Sequence, residues 1–314
     1  MKEKLNHRLR AVTLRQLRGL AAVVREGSVS RAAESTHVTP PAVSLQLRQL
    51  EELVGVALLE RLPSGARATE AGEEVLAAAA RIERALAEAA DAIDVLRDGE
   101  GGRIALGVIS TAKYFAPRAV AAFKERHPRI EIRLMVGNRE EMLAALESYE
   151  LDLAITGRPP ETFAVERAVI GDHPHVIIAP PGSPLTRRRG LHLADLAGET
   201  LLLREPGSGT RILIRSLFQD AGLDPPAGME IGSNETIKQA VIAGLGIALI
   251  SAHTIVHEVE AGRLAILDVD GLPVVRQWFV VKRRDKRLLP AAVALRDFLA
   301  REGRHYLPSP SHPR

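Results

Sequence analysis

Two stretches of the chain carry side chains whose types and spacing suit chemistry, and in both the chemistry is recognition. In PPAVSLQLRQL, Val43, Leu47 and Leu50 recur at helical spacing, so Pro41, Ser44, Gln46 and Arg48 fall outside that stripe near the leading end of one helix. Hydroxyl, amide and guanidinium groups presented there are the set that meets base edges and phosphates in a DNA groove. In REPGSGTR, residues 204–211, the run Gly207, Ser208, Gly209 lets backbone N–H groups turn inward ahead of a helix starting near Thr210. Glycines, hydroxyls and a helix N-terminus make an anion site, which Arg204 or Arg211 would complete.

Bond-breaking sets are absent by comparison. The chain has no cysteine, hence no disulfide and no thiolate chemistry. It contains neither a P-loop nor a G-x-S-x-G elbow. His253 and His257 stand at metal-ligand spacing but lack the glutamate of a zinc protease and a third ligand, so they read as a helix surface. His173 and His175 flank Pro174, where a turn or the start of a strand accounts for them, and the basic runs 187–189 and 282–287 read as solvated loops. No metal and no cofactor is expected.

The first stretch belongs to residues 28–55, two short amphipathic runs separated by a polar break, each with a helix-start signal. Ser28 can cap the first and Thr39 the second, where Pro40 sits at the first helical position without losing a useful N–H. Ala32 and Ala33 are small enough for the two helices to cross closely, which predicts a helix-turn-helix. Before it, Leu14, Leu17, Leu20, Ala21 and Val24 form the apolar face of a supporting helix over 13–26, with Arg15 and Arg18 outside it and available to phosphates. After it, VALLERLPSGARAT reads as two short strands around a Pro-Ser-Gly turn, a wing. Residues 1–67 hold eleven Lys or Arg against six Asp or Glu, a local +5 where the whole chain is +3. That is the electrostatic footprint of a nucleic-acid module.

The sequences TLRQLRGLAAVVREGSVSRAAE, TPPAVSLQLRQLEELVGVALLER and the Thr69, Gly72 pair resemble, without a gap, the N-terminal domain of LysR-type transcriptional regulators. The resemblance implies that Ser44, Gln46 and Pro41 read bases while Thr39, Arg31, Arg48 and Arg67 hold the DNA backbone, Arg67 from the wing toward the minor groove, with Arg61 a lesser candidate. Leu45 stands where the family often has a polar residue. The implied partners are double-stranded DNA with a pseudo-palindromic site, a second copy of the chain in a dimer or tetramer, a small-molecule effector and RNA polymerase.

Thr69 can cap a long helix to about Asp98, along which Val75, Ala79, Ile82, Leu86, Ala89, Ile93 and Leu96 alternate by fours and threes. No nearby segment offers such a seam a matching face, so a homodimer is expected, as the resemblance also implies. Residues 99–102 are a hinge-like linker, and from Arg103 short apolar strands alternate with helical runs, which argues for a parallel α/β sheet. The chain leaves this unit near Gly171, builds a second, and returns to the first with VVRQWFVVK and a final helix over 290–302. The expected organisation is a winged helix-turn-helix over 1–68, a linker helix over 69–98, a hinge over 99–102 and an α/β effector domain over 103–302. That domain has a first lobe over 103–171 and 276–302 and a second over 172–275. Two crossings between them make a clamshell around a ligand cleft, the fold of periplasmic solute-binding proteins that the resemblance implies. A flexible tail over 303–314 completes the chain.

Cleft residues should lie where strands end and helices begin: Ser110, Thr111 and Lys113, then Thr156 and Gly157, then Arg204, Ser208, Gly209, Thr210 and Arg211, and finally Asn234. STAKYFAP, residues 110–117, and REPGSGTR are most similar to the branch of the family that regulates Calvin-cycle carboxylase (RuBisCO) operons. That branch implies a phosphorylated metabolite or a reduced nicotinamide nucleotide as effector, where related branches of aromatic catabolism take aromatic acids. No apolar run approaches a membrane span and no signal peptide opens the chain, so a cytoplasmic protein is expected. The alternatives are a cytosolic small-molecule binding protein, which leaves residues 1–68 unexplained, and an enzyme on the same two-lobed fold, for which no nucleophile and base pair offers itself.

Overall fold

The structure, a computed structural model, describes residues 7–62, 65–98, 101–225 and 228–308. The chain forms two compact units, residues 1–90 and 91–314.

In the first unit the supporting helix Leu14–Glu26 starts in a capping box, with the Thr13 hydroxyl accepting from the Gln16 N–H and the Gln16 side chain accepting from the Thr13 N–H. The helix-turn-helix is Val29–Ser35 followed by Pro40–Val54, whose Val43, Leu47 and Leu50 are buried with Leu17, Leu20, Val23, Ala32 and Ala33. Ser28 and Thr39 occupy the N-cap positions, but neither side chain makes the capping bond expected of it. Strands β1 (Leu59–Leu62) and β2 (Gly65–Ala68) pair antiparallel as the wing, and the Ala66 N–H donates to the Gly27 carbonyl. The turn residues Pro63 and Ser64 and the side chain of Arg61 lie outside the described residues.

The long helix Glu70–Asp98 has Thr69 at its start, its hydroxyl accepting from the Gly72 N–H at 3.1 Å. Its proposed seam is divided. Ala79 is buried in the core of the N-terminal unit, with Val75 and Leu76 packed against that core, while Ile82, Leu86, Ala89 and Ile93 are exposed. The first heptad therefore packs on the protein's own helices, contrary to the expectation that no nearby segment would meet it; the side chain of Leu96 lies outside the described residues.

The second unit is built on one seven-stranded sheet. Strands β3 (Gly102–Ile109), β4 (Ile130–Gly137) and β5 (Leu153–Thr156) are parallel, and they join β6 (Val165–Ala179) through β11 (Val274–Arg283) in the order β4-β3-β5-β11-β6. The far half of β6 pairs with β9 (Ala248–Ser251) and β10 (Ala265–Ile266), so the sheet is mixed where a parallel one was expected. Strands β7 (Leu201–Arg204) and β8 (Gly228–Ile231) form a separate parallel pair. The two crossings between lobes are thus β6 and β11 themselves, antiparallel neighbours paired from Val165 opposite Arg283 to His175 opposite Val274, with a bulge at Trp278/Phe279. Gly102, assigned to the hinge, already begins β3, and Glu100 and Gly99 lie outside the described residues. The end of the chain also departs from expectation: Gly303–Tyr306 form a 3-10 turn, and Tyr306 and Leu307 pack against the core of the first lobe, where Gly171 leaves room for Leu307. Residues 309–314 lie outside the described residues.

Candidate functional site

On the helix Pro40–Val54, the turn of chain before it and Pro40 at its first position fix the axis, and burial of one stripe leaves the other face to solvent. Pro41, Ser44, Leu45 and Arg48 are exposed, as are Arg31, Thr39 and, on β2, Arg67. Arg31, Arg48 and Arg67 make no ion pair among the described residues, so their charge is free for phosphate. Gln46 is half-buried, and its amide oxygen lies over Gly19, 3.2 Å from where a Cβ would stand. Arg18 is a correction: its guanidinium donates two bonds to Glu83 at 2.6 and 3.0 Å, which ties the supporting helix to the long helix instead of leaving a phosphate ligand.

In the second unit Ser110, Thr111, Gly157, Arg204, Ser208, Gly209 and Thr210 line one open cleft of about 440 Å³, mouth included. Two helices point their N-termini at it. One is Arg139–Glu147, capped by Asn138 through a capping box with Glu141; the other is Gly209–Asp220, opened by Ser208. Gly207, at φ 82°, lets the second approach the first, since a Cβ there would stand 2.5 Å from a Glu140 carboxylate oxygen. The lobes meet through Arg204, which donates to Asn234 Oδ1 at 2.5 Å and Ser110 Oγ at 3.2 Å while its other edge holds Glu205 in two 2.7 Å bonds. Asn234 is thus behind the lining, orienting Arg204. The remaining expected residues lie elsewhere. Thr156 is buried and bonds the Arg158 carbonyl, Arg211 pairs with Glu230 and the Arg204 carbonyl, and exposed Lys113 lies over the Tyr114 ring.

Sequence reasoning missed seven lining residues: Ile109, Asn138, Arg139, Arg158, His173, His175 and Arg276. Three of them come from the crossing strands, where His173 on β6 stands directly opposite Arg276 on β11. The lining holds four guanidiniums and no carboxylate. Arg204 is neutralised by Glu205 and Arg158 by Glu161, but Arg139 donates only to the Arg158 and Pro159 carbonyls, and Arg276 has no ion-pair partner among the described residues. Burial, reinforced by repulsion from Arg158, lowers the pKa of both Arg139 and Arg276 below that of a free guanidinium. Two guanidiniums without an ion pair among the described residues thus share one lining with two helix N-termini, an arrangement whose chemistry suits an anion.

Three of the histidines are not the surface or turn groups expected. His173, His175 and His253 are all buried around Trp278, with the His173 ring stacked on the indole at 3.7 Å. The Trp278 N–H donates to His253 Nδ1 at 3.1 Å, which fixes that imidazole as neutral with its proton on the other nitrogen. Burial pushes His175 and His253 down to about 4, and His173 well below its usual value, the last also through its histidine neighbours. The basic run 282–287 is corrected too. Lys282 and Lys286 are buried, paired with Glu166 at 3.0 Å and Asp152 at 2.8 Å and bonded to backbone carbonyls. They close the edge of the first lobe and have no charge to spare. His257 is exposed, and among the described residues no group of side chains is arranged to hold a metal ion. No helix among those residues is long and apolar enough to cross a membrane.

Two family models cover the chain. The bacterial regulatory helix-turn-helix of the lysR family matches residues 14–73, and the LysR substrate binding domain matches residues 97–304. The HTH-type transcriptional regulator CbbR of Xanthobacter flavus is 55% identical over 298 residues, 94% of this chain and 90% of that protein. The RuBisCO operon transcriptional regulator of Allochromatium vinosum is 46% identical over 93% of this chain and 96% of its own length. Among solved structures, the Synechocystis PCC6803 CcmR regulatory domain in complex with 2-PG is 38% identical and superposes with a TM-score of 0.61 over 64% of this chain and 96% of that one. A helix-turn-helix, joined by a long helix to a two-lobed α/β unit and matched by these two family models over residues 14–73 and 97–304, places the chain among the LysR-type transcriptional regulators.

Proposed function

We propose that this regulator controls carbon-fixation genes in response to a compact, multiply charged anion, a phosphorylated metabolite, bound in the cleft of the second unit. The observation that carries the reading is the pair of uncompensated guanidiniums, Arg139 and Arg276, beside two helix N-termini. The similarity to regulators named for RuBisCO operons, and to a domain complexed with 2-PG, supports it. Aromatic acids fit less well, because one carboxylate would leave a guanidinium unpaired. The chain acts by binding, in the cytoplasm, and no catalytic step is assigned to it.

In this reading residues 1–68 read DNA, 69–98 dimerise and 103–302 sense the effector. Pro41, Ser44 and Gln46 meet base edges, and Arg31, Thr39, Arg48 and Arg67 hold phosphates. Ile82, Leu86, Ala89, Ile93 and Leu96 form the seam between copies; Val75 and Ala79 drop out of it. An anion that bridges Arg139 on the first lobe to the Ser208–Thr210 turn on the second favours one arrangement of the lobes and so shifts the population between DNA-bound states. The test is footprinting on the protein's own upstream intergenic DNA, with and without phosphorylated acids, phosphorylated sugars, reduced nicotinamide nucleotides and aromatic acids. A protected dyad whose pattern changes with a phosphorylated compound is expected, and Arg276→Gln should weaken that response by about tenfold or more. A response to aromatic acids alone would overturn the anion reading.

A further inference from the structure

His173 is the unexplained group of the cleft. It is 3% exposed and lines the cavity, yet neither ring nitrogen has a hydrogen-bond partner. Buried polar groups are nearly always paired, because an unpaired one has given up its water for nothing. Nor is the ring free to turn away. It lies flat on Trp278, 18° from parallel, and its Nδ1 sits so close to Gly157 that a Cβ there would stand 2.8 Å away. Every other imidazole of the cluster is engaged: His175 Nδ1 with the His173 carbonyl at 3.1 Å, His253 with Trp278.

We infer that His173 hydrogen-bonds the anionic group of the effector and takes up a proton from solvent as the ligand binds. This rests on the reading that an anion occupies the cleft. The groups that face the ring from the elements around it are His175 on the same strand, His253 from the 3-10 turn after β9, and Arg276 opposite on β11, while the carboxylate of Asp172 acts on His253. Burial, the neighbouring imidazoles and Arg276 all disfavour the imidazolium. An anion set against Arg276 cancels that guanidinium's repulsion and offers an acceptor to a ring N–H, which reverses the balance. The proton arrives only with the ligand. In consequence affinity falls as pH rises through the value His173 has in the complex, opposite to the effect of a phosphate's own second ionisation, which strengthens binding as pH rises.

Trp278 makes the step observable, since it is the only tryptophan of the chain and an imidazolium in ring contact quenches indole emission. The experiment uses the full-length protein with two probes, 2-PG and inorganic phosphate, following Trp278 emission and measuring binding heats in buffers of different ionisation enthalpy. Quenching on addition of probe and heats with the sign of proton uptake are expected. His173→Gln should keep binding, about tenfold weaker, without the uptake. Gly157→Ala, which presses on the ring but removes no titrating group, should weaken binding while keeping the uptake. If the probes bind in an Arg276-dependent manner but wild type and His173→Gln exchange the same number of protons, and Trp278 is silent, this inference falls and the anion reading stands. If neither probe binds the wild-type protein, both are overturned.

Discussion

The two recognition surfaces of this chain both answer negative charge with arginine, and they do so in opposite ways. On the helix Pro40–Val54 and the wing, Arg48 and Arg67 are exposed, make no ion pair among the described residues and lie close in sequence. In the effector cleft Arg204 is buried, Arg139 and Arg276 are half-buried and only Arg158 is exposed; they come from β7, β11, the segment after β5 and the first position of the helix Arg139–Glu147, and half are neutralised by a neighbouring acid. Exposed guanidiniums cost the fold nothing and attract any polyanion, with an affinity that salt erodes. Buried ones must be supported by the fold, and selectivity follows from which of them are left uncompensated.

The largest consequence of that difference concerns stability. Replacing Arg204 by Met strands Glu205 and unties Asn234 and Ser110, and a loss of about 3–5 kcal/mol is expected, confined to the unfolding transition of the effector unit. Denaturant unfolding with one probe on each unit measures it; equal shifts in both transitions would contradict this placement of the loss. Next comes pH. The folded imidazoles of His175 and His253 sit at about 4, below the 6.5 of an unfolded histidine, so the unfolded chain binds protons first on acidification. The stability they contribute is intact above about 6.5 and lost toward 4, on the order of 2 kcal/mol for each between pH 7 and 5. A thermal scan at pH 7 and pH 5 should therefore lower the effector unit's midpoint, and His253→Gln should flatten part of that dependence.

Smaller effects belong to the DNA face. Gln46→Ala should relax discrimination at one base pair by about 1–2 kcal/mol while barely changing affinity for unrelated sequence, measured by competition between operator variants. Arg67→Ala should weaken binding to every sequence and reduce the salt slope by about 1; a change at one base pair only would contradict its phosphate role. Smallest of all, Arg48→Ala should leave both unfolding transitions within about 0.5 kcal/mol, against the severe loss at buried Arg204.

The same contrast explains what could be read from sequence. The helix-turn-helix was legible because its core, Val43, Leu47 and Leu50 over Ala32 and Ala33, is written in local periodicity, and the exposed face is whatever that stripe leaves over. The cleft was legible only where a strand end or helix start carries polar residues, as at Ser110, Thr111 and 207–210. Arg276 and the two histidines depend on β6 lying beside β11 in one register, which no local pattern states. A trace was present all the same. His173 and His175 alternate with Pro174, and Arg276 alternates with Trp278, so each pair shares one face of its strand. Ala79 was assigned to the seam between copies for a different reason: a heptad pattern specifies an apolar stripe without saying whether a second copy or the chain's own helices will cover it.

The crossing strands decide how the effector unit moves. With β6 and β11 paired over most of their length, and with strands of both lobes hydrogen-bonded onto them, the connection between lobes is a twisted ribbon with no free joint. A ribbon of this kind behaves as a torsion spring: its restoring force grows with rotation, where a loose door swings until it meets a stop. Ligands that pull harder on the two lobes should wind it further, so effectors of graded charge would give graded occupancy of the DNA-bound states, and the bulge at Trp278/Phe279 is the place where the coil gives first.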